Sequence, residues 1–522
     1  MADQNGRPVV TNSGMTHRQV MLVFSGLMLG LFLAALDQTI VATALPTIVG
    51  ELGGLSHLSW VVTAYLLTST ASAPLYGKIS DLYGRKIVFQ FAIVVFLIGS
   101  ALSGLSQSMG QLIAFRAIQG LGAGGLLVMA LTIIGDILSP RERGRYQGYI
   151  GAVFAVSSVA GPLLGGFIVD NFDWRWIFYI NIPIGLAALF VTGAVLKIPF
   201  HRREHAIDYL GAALLVAAVG AALLVTVWGG REYAWGSGLI LGLAAMAVAL
   251  FALFLLQERR AKEPIIPLRL FGNRVFSITS GMGFILGLAM FGGIVFLPLF
   301  LQAVLGESAT NSGLLLVPLM AGLLTTSIAS GRVISRTGRY KRYPIAGTAI
   351  LTVGLYLLST MDPETSLAIA ALYMVVLGMG MGLILQVLVI AVQNAVDTSD
   401  LGVATSSATF FRSLGGAFGT ALFGAILSSR LLTELAGMIP GGSVNDLTSS
   451  PQQIAQLPPE VHEVVVAGLS NAITSVFLAA VPFALVALVL ALVLPELPLR
   501  ETVHAMPASA EGPVLLEDLE ST

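Results

Sequence analysis

The stretch Gly77-Lys78-Ile79-Ser80-Asp81-Leu82-Tyr83-Gly84-Arg85-Lys86 returns, altered, as Gly331-Arg332-Val333-Ile334-Ser335-Arg336-Thr337-Gly338-Arg339-Tyr340. Each copy follows an apolar run, and they lie 254 residues apart (77 to 331). The same offset carries Gly148 onto Gly402, Gly161 onto Gly415 and Gly165 onto Gly419. It also carries the apolar run from Met21 onto the one from Val275. One offset shared by several features means two related halves, the arrangement of transporters built as two bundles around a central site.

Composition sets the environment. Of 522 residues, 56% are apolar and 11% charged, and the mean hydropathy is +0.87. Soluble domains carry about 25% charged residues, so this chain reads as an all-α polytopic membrane protein. A net charge of −1 gives no field to attract nucleic acid, and the absence of cysteine rules out disulfides and thiolate metal sites. The polar first 20 residues lack a signal-peptide pattern, so the first span is expected to be retained.

Apolar segments of about 20 residues can span a bilayer. Fourteen are read, at 21–45, 58–76, 87–105, 110–137, 146–169, 175–196, 207–228, 238–256, 275–302, 311–331, 343–360, 366–391, 402–428 and 471–494. With the N-terminus inside, 22 of the 27 Lys and Arg fall on inner segments. Arg175, Arg231 and Arg430 fall outside, while Arg116 and Arg412 lie within spans. This bias predicts both termini in the cytoplasm. The expected organisation is a tail (1–20), a six-helix bundle (21–197), two extra helices with their loops (198–274), a second six-helix bundle (275–494) and a tail (495–522). The outer loop 429–470 breaks the offset and reads as an insertion whose stretch 461–470 forms a short surface helix. The polar tail after Pro495 is expected to be disordered.

Several motifs carry a family resemblance. Gly77-x-x-x-Asp81-x-x-Gly84-Arg85-Lys86 resembles the loop signature of the major facilitator superfamily. Leu36-Asp37-Gln38-Thr39 through Leu45-Pro46 resembles the first-helix motif of its fourteen-helix drug:proton antiporters. Arg116-Ala117-Ile118-Gln119-Gly120 is similar to the fourth-helix arginine motif, and Gly151 through Gly161-Pro162-Leu163-Leu164-Gly165-Gly166 to the fifth-helix antiporter motif. Trp174 through Gly185 fits the same group. The resemblance spans nearly the whole chain. It implies a major facilitator fold of two six-helix bundles plus two extra helices, and proton-driven export without a cofactor, the proton gradient supplying the energy.

Physical chemistry gives these residues work to do. A carboxylate within a span costs roughly 2.5–3.5 kcal/mol on insertion scales, so Asp37 needs a reason. Desolvation favours its protonated form and a nearby arginine its ionised form. The resemblance makes Asp37 a proton-coupling group; the alternative is a permanently ionised partner. Arg116 enters its span to a similar depth, about 10 Å against about 13 Å at 1.5 Å per residue, and is the expected partner, with Gln119 one turn along. A clamp of Arg116 on first-helix carbonyls is the alternative. Asp81 is expected to bond a neighbouring helix N-terminus and Asp136 to hold Arg85, latching the inner face, with Gly77 and Gly84 permitting a tight path. Gly161, Pro162 and Gly165 are expected to pack a tight seam that blocks leak between the halves.

The resemblance also places a cargo cavity between spans one, four, nine and twelve. They offer Met129, Phe291, Met374 and Gln386 beside Gln119, with Arg412 a further candidate. Methionine and aromatic walls suit varied amphipathic molecules. Gly120-Leu121-Gly122-Ala123-Gly124-Gly125 matches a dinucleotide fingerprint but lies inside an apolar helix, so it reads as helix packing. No metal cluster or Walker A sequence is present. The expectation is a monomeric exporter of amphipathic compounds, not an enzyme, in a bacterial inner membrane. A dedicated exporter of one natural product, siderophore or lipid is the close alternative. A nutrient symporter or facilitator and a membrane-embedded enzyme are the distant ones. Because Asp81 becomes Ser335 and Asp37 has no counterpart, the acidic chemistry is expected in the first half alone.

Overall fold

The computed structural model describes residues 17–52, 58–196, 208–230, 232–307, 309–434 and 459–500. Each of the fourteen apolar segments lies on a helix. They are α1 (His17–Leu52), α2 (Leu58–Tyr83), α3 (Arg85–Gly104), α4 (Met109–Ile137), α5 (Pro140–Asn171), α6 (Asn181–Val195) and α7 (Tyr209–Trp228). The rest are α8 (Gly238–Glu258), α9 (Arg274–Ala303), α10 (Val317–Thr337), α11 (Arg342–Ser359), α12 (Leu367–Ala395), α13 (Leu401–Glu434) and α14 (Pro459–Val493). A turn of helix, Trp176–Tyr179, leads into α6, and a short helix, Ala309–Leu314, leads into α10. Among the described residues, twelve helical stretches are long and apolar enough to cross a membrane. The two helices outside that set, α2 and α11, are packed against neighbours on both sides, α2 on α4 and α13 and α11 on α12 and α14.

Local chemistry sets the helix ends. Ser139 caps α5 in a reciprocal box with Glu142, and Pro140 occupies the first turn, where its missing N–H costs nothing. Ser108, Ser237 and Ser366 cap α4, α8 and α12, and Asn273 caps α9. In the two repeated loops the chain turns at Gly84 (φ 94°) and Gly338 (φ 68°), both at positive φ, where a side chain would be strained.

The first six helices share cores built on Phe24, Leu27, Phe89, Phe96 and Leu126. The last six share one around Met282, Leu286, Phe300, Leu355 and Phe477. The extra pair α7 and α8 sits on a third cluster, where Leu215, Leu223 and Phe254 meet Ala71 of α2 and Phe410 of α13. It therefore rests on one helix from each half, and most of the surface of α8 faces away from the protein.

Two expectations are corrected. Residues 461–470 form no separate surface helix; they are the opening turns of α14, continuous with its apolar part. Residues 495–500 are held in place: Tyr340 Oη donates to Pro495 O at 2.9 Å, and Asn394 Nδ2 to Pro498 O at 3.1 Å. The expected tails 1–16 and 501–522, and most of the loop 429–470, lie outside the described residues.

Candidate functional site

Asp37 is fully buried on α1 and faces α4 and α6. Arg116 Nη1 donates to its Oδ2 at 2.6 Å. Gln119 Nε2 donates to Oδ1 at 2.7 Å, and Asn181 Nδ2 to the same oxygen at 3.0 Å. Arg116 also donates to Gln119 Oε1 (2.7 Å) and to the Val61 carbonyl (3.3 Å). Its guanidinium stacks on the Tyr65 ring at 4.2 Å. Arg116 and Gln119 lie three apart and so share a face of α4. Their helix comes close to its neighbours because a Cβ at Gly99 would overlap the Gln119 backbone and one at Gly120 would overlap that of Tyr65. The run 120–125 thus serves helix packing: Gly122 abuts α3 and Gly124 abuts α2. The two Asp37 oxygens thus accept three hydrogen bonds, and the Arg116 guanidinium has its carboxylate partner inside the same buried cluster.

A cavity of about 290 Å³ lies beside this cluster, with Gln38 and Tyr65 on its wall. Leu31, Leu127 and Phe154 line the first half's side, and Leu223 of α7 closes part of it. Thr409, Arg412 and Thr420 of α13 face them. The wall thus comes from helices one, two, four, five, seven and thirteen, not from one, four, nine and twelve. The reason is close packing in the second half. Gly287 brings α9 against the Arg412 carbonyl and Gly415 brings α13 against that of Phe284, so α13 stands between α9 and the cavity.

The other expected lining residues are accordingly elsewhere. Met129 and Met374 are fully buried in the two cores. Gln119 is engaged by Asp37 and Arg116. Gln386 borders a separate space of about 20 Å³ with Arg143 and Gln393. The side chain of Phe291 lies outside the described residues.

The two repeated loops mark one end of the molecule, the basic end, where each docks on the opposite half. A Cβ at Gly77 would overlap Ser406 and the Gly402 carbonyl. Four residues on, Asp81 Oδ2 accepts the Val403 N–H of the first turn of α13 at 3.0 Å. Arg85 pairs with Asp81 and with Asp136, the latter at 2.6 Å. In the second copy the roles reverse. Arg141 of α5 donates to the Ser335 and Arg336 carbonyls, both at 2.9 Å, and Gly144 abuts Gly331. Arg143 Nη1 reaches Gln393 Oε1 at 2.6 Å. The segment after α8 adds two clasps, Lys78 to Glu263 and a bidentate Arg269–Asp400 pair at 2.7 Å. Hydrogen bonding to Asp400 raises the Arg269 guanidinium further above its usual range, outweighing partial desolvation, so that clasp stays charged. These contacts close the basic end.

The fifth-helix glycines have a different neighbour from the one expected. Cβ atoms at Gly161 and Gly165 would overlap Thr39 and Thr43 of α1, within the same half. Pro162, between them, approaches the second half: it lies 3.7 Å from where a Cβ at Gly313 would stand. The seam between halves along α5 is made instead by Gly144, Gly148 and Gly151 against α10. Asn181 and Tyr65 joined the Asp37 cluster without being expected. Asn181 stands inside the quoted Trp174–Gly185 motif, and a lone amide entering an apolar run was the available signal.

The Major Facilitator Superfamily profile matches this chain at residues 27–209 and 205–420. An uncharacterized MFS-type transporter of Mycobacterium tuberculosis is 44% identical over 481 residues, 92% of this chain and 70% of its own length. The multidrug transporter protein MdtP of Bacillus subtilis is 42% identical over 416 residues, 79% of this chain and 77% of its own length. Among solved structures, the human organic anion transporter MFSD10 (TETRAN) superposes with a TM-score of 0.60 at 16% identity, covering 89% of this chain and 99% of that one.

Proposed function

This chain belongs to the Major Facilitator Superfamily, and we propose that it exports amphipathic compounds in exchange for protons by alternating access. The observation that carries the reading is the junction between the Asp37 cluster and the cavity. Tyr65 lines the cavity and also stacks on Arg116, which holds Asp37. A cargo that shifts Tyr65 therefore loosens the grip on the acid, and a proton taken by Asp37 releases Arg116 and with it Tyr65. Proton and cargo then compete through one arginine, which is the coupling that exchange requires. The name of the Bacillus subtilis relative supports export of varied compounds over import of one nutrient. The positive-inside bias supports the basic end as the cytoplasmic one, with both termini and fourteen spans as read from the sequence. On that orientation the conformer is closed to the cytoplasm.

The test is Asp37→Asn in inverted membrane vesicles with an imposed pH gradient and an amphipathic dye as cargo. Asparagine keeps the size and one acceptor oxygen but cannot carry the proton. Gradient-driven dye transport should vanish, while counterflow of unlabelled against labelled dye without a gradient persists. Unimpaired gradient-driven transport would remove Asp37 from the coupling step.

A further inference from the structure

Among the described residues the cavity carries a single charged side chain, and that charge has no partner there. Arg412 lines it from α13, and no other acid or base among the described residues stands on its wall. Arg412 makes no hydrogen bond or ion pair within the described residues. The acid nearest in kind, Asp37, is already satisfied by Arg116, Gln119 and Asn181. That cluster is neutral as an ion pair, so it does not offset Arg412. The 254-residue offset places Ser158 where a first-half counterpart would be, so the cation belongs to one half only.

A guanidinium within a bilayer is costly unless it finds a countercharge, and its planar fork matches a carboxylate in two parallel bonds. The rest of the wall manages without charge: Leu31, Ala34, Leu66, Leu127 and Phe154 are apolar, and its other polar side chains are neutral. We infer that the cavity is built for an amphipathic organic anion whose carboxylate, or an equivalent acid group, pairs with Arg412 while its apolar body lies along the wall of the first half. Thr409, one turn before Arg412 and also on the wall, and Gln38 opposite supply further polar contacts for the headgroup. A volume of about 290 Å³ sits at the small end of the usual range for ligand sites, which favours a compact body of one or two rings. A cationic amphiphile of equal size would meet Arg412 as a like charge. This inference rests on the cavity being the cargo site, as proposed above, but not on proton coupling.

The experiment uses the full-length protein in lipid nanodiscs, without a pH gradient, against empty discs of the same lipid. Equilibrium binding of naphthoate is compared with that of naphthylmethylammonium. The wild-type protein should bind the anion at least about tenfold more tightly. Arg412→Gln should weaken the anion about 10- to 100-fold, the range for a hydrogen-bonded charge, and abolish the preference. Arg412→Lys should retain part of it, having the charge without the fork. Equal wild-type affinities, preference for the cation, no binding of either, or a folded Arg412→Gln that keeps its anion affinity within about twofold would each overturn the inference. The comparison of the two probes on wild-type protein stands even if the variants fail to fold. Anion preference with loss of gradient-driven export would sink the antiport reading and leave this one intact. Gradient-driven export with no anion preference would do the reverse.

Discussion

Gly77→Ala adds one methyl group where α2 meets α13. The new Cβ would sit 2.5 Å from Ser406 Cβ and 2.7 Å from the Gly402 carbonyl oxygen. Ordinary contacts at such a carbon are at least about 3.4 Å, so the two helices must part by several tenths of an ångström or more. Rotation could carry the Ser406 hydroxyl away, but its Cβ and the Gly402 carbonyl cannot yield without moving α13. Overpacking of this kind costs about 1–3 kcal/mol. The cost falls on the conformer closed at the basic end. Under the proposed alternating access the opposite conformer separates α2 from α13 there and bears no such cost, while the gain in helix propensity from Gly to Ala is common to both and cancels. The closed-to-open ratio should therefore drop by about 5- to 150-fold. Even the lower figure would turn a population of about nine to one closed into about two to one.

The chain has no cysteine, so Tyr83→Cys and Ser399→Cys, both exposed and on opposite sides of the seam, can be spin-labelled alone. Electron–electron distance distributions should gain a longer component in Gly77→Ala. Gly220→Ala, at a helical glycine with nothing within 4 Å of the added carbon, is the control and should leave the distribution unchanged. A folded Gly77→Ala with the wild-type distribution would refute the idea that this contact sets the population.

Arg141→Ala should act in the same direction from the other seam, since it removes the bonds to the Ser335 and Arg336 carbonyls; with charged donors worth about 1.5–3 kcal/mol each before solvent screening, the same spin-label pair should report a shift, and none would mean this seam is passive. Asn181→Leu deletes a donor to Asp37 and the bond to Ser100 Oγ, both buried; thermal melting in detergent should show a loss of about 1–3 kcal/mol, and wild-type melting would show that Gln119 and Arg116 alone satisfy the acid.

What could be read from the sequence follows from what is expensive in a bilayer. Asp37 and Arg116 stand out because a charge inside an apolar run has to be matched, and similar depths from the same face pointed to each other. Asp136 was readable as the holder of Arg85 for the same reason. Asn181 gave only the weak signal of a lone amide and Tyr65 none, because a neutral amide or phenol costs little enough to pass as ordinary interfacial chemistry. The cavity wall was misread for a different cause. In a soluble helix the polar stripe tells which face is buried, but here lipid and protein core are both apolar and the stripe is missing. Met129 and Met374 therefore looked equally suited to a cavity and to a core, and only the packing within each half, which buries them in its core, decides it. The same blindness hid the partner of Gly161 and Gly165, since a small-residue stripe shows that some helix comes close without showing which.

The repeated loops divide the work of closing the basic end between the two halves. The two copies dock in mirrored roles: in one an aspartate of the loop takes a backbone N–H of α13, in the other an arginine of α5 takes backbone carbonyls of the loop. Either way a charged side chain meets the backbone of the opposite half, so loss of Asp81 to Ser335 removes an acid without removing a clasp. The asymmetry lies deeper, along the bilayer axis. The first half holds the acid with its own arginine, a neutral pair, while the second half contributes to the cavity an arginine that has no partner among the described residues. A purely passive second half would need no charge there. If the first half manages the proton and the second half selects the sign of the cargo, exchanging Arg412 for a neutral residue should alter which compounds are carried and leave the response to a pH gradient in place, whereas Asp37→Asn should do the opposite. Parallel transport assays on the two variants separate the roles, and loss of both properties in either variant would mean that proton and cargo share one site.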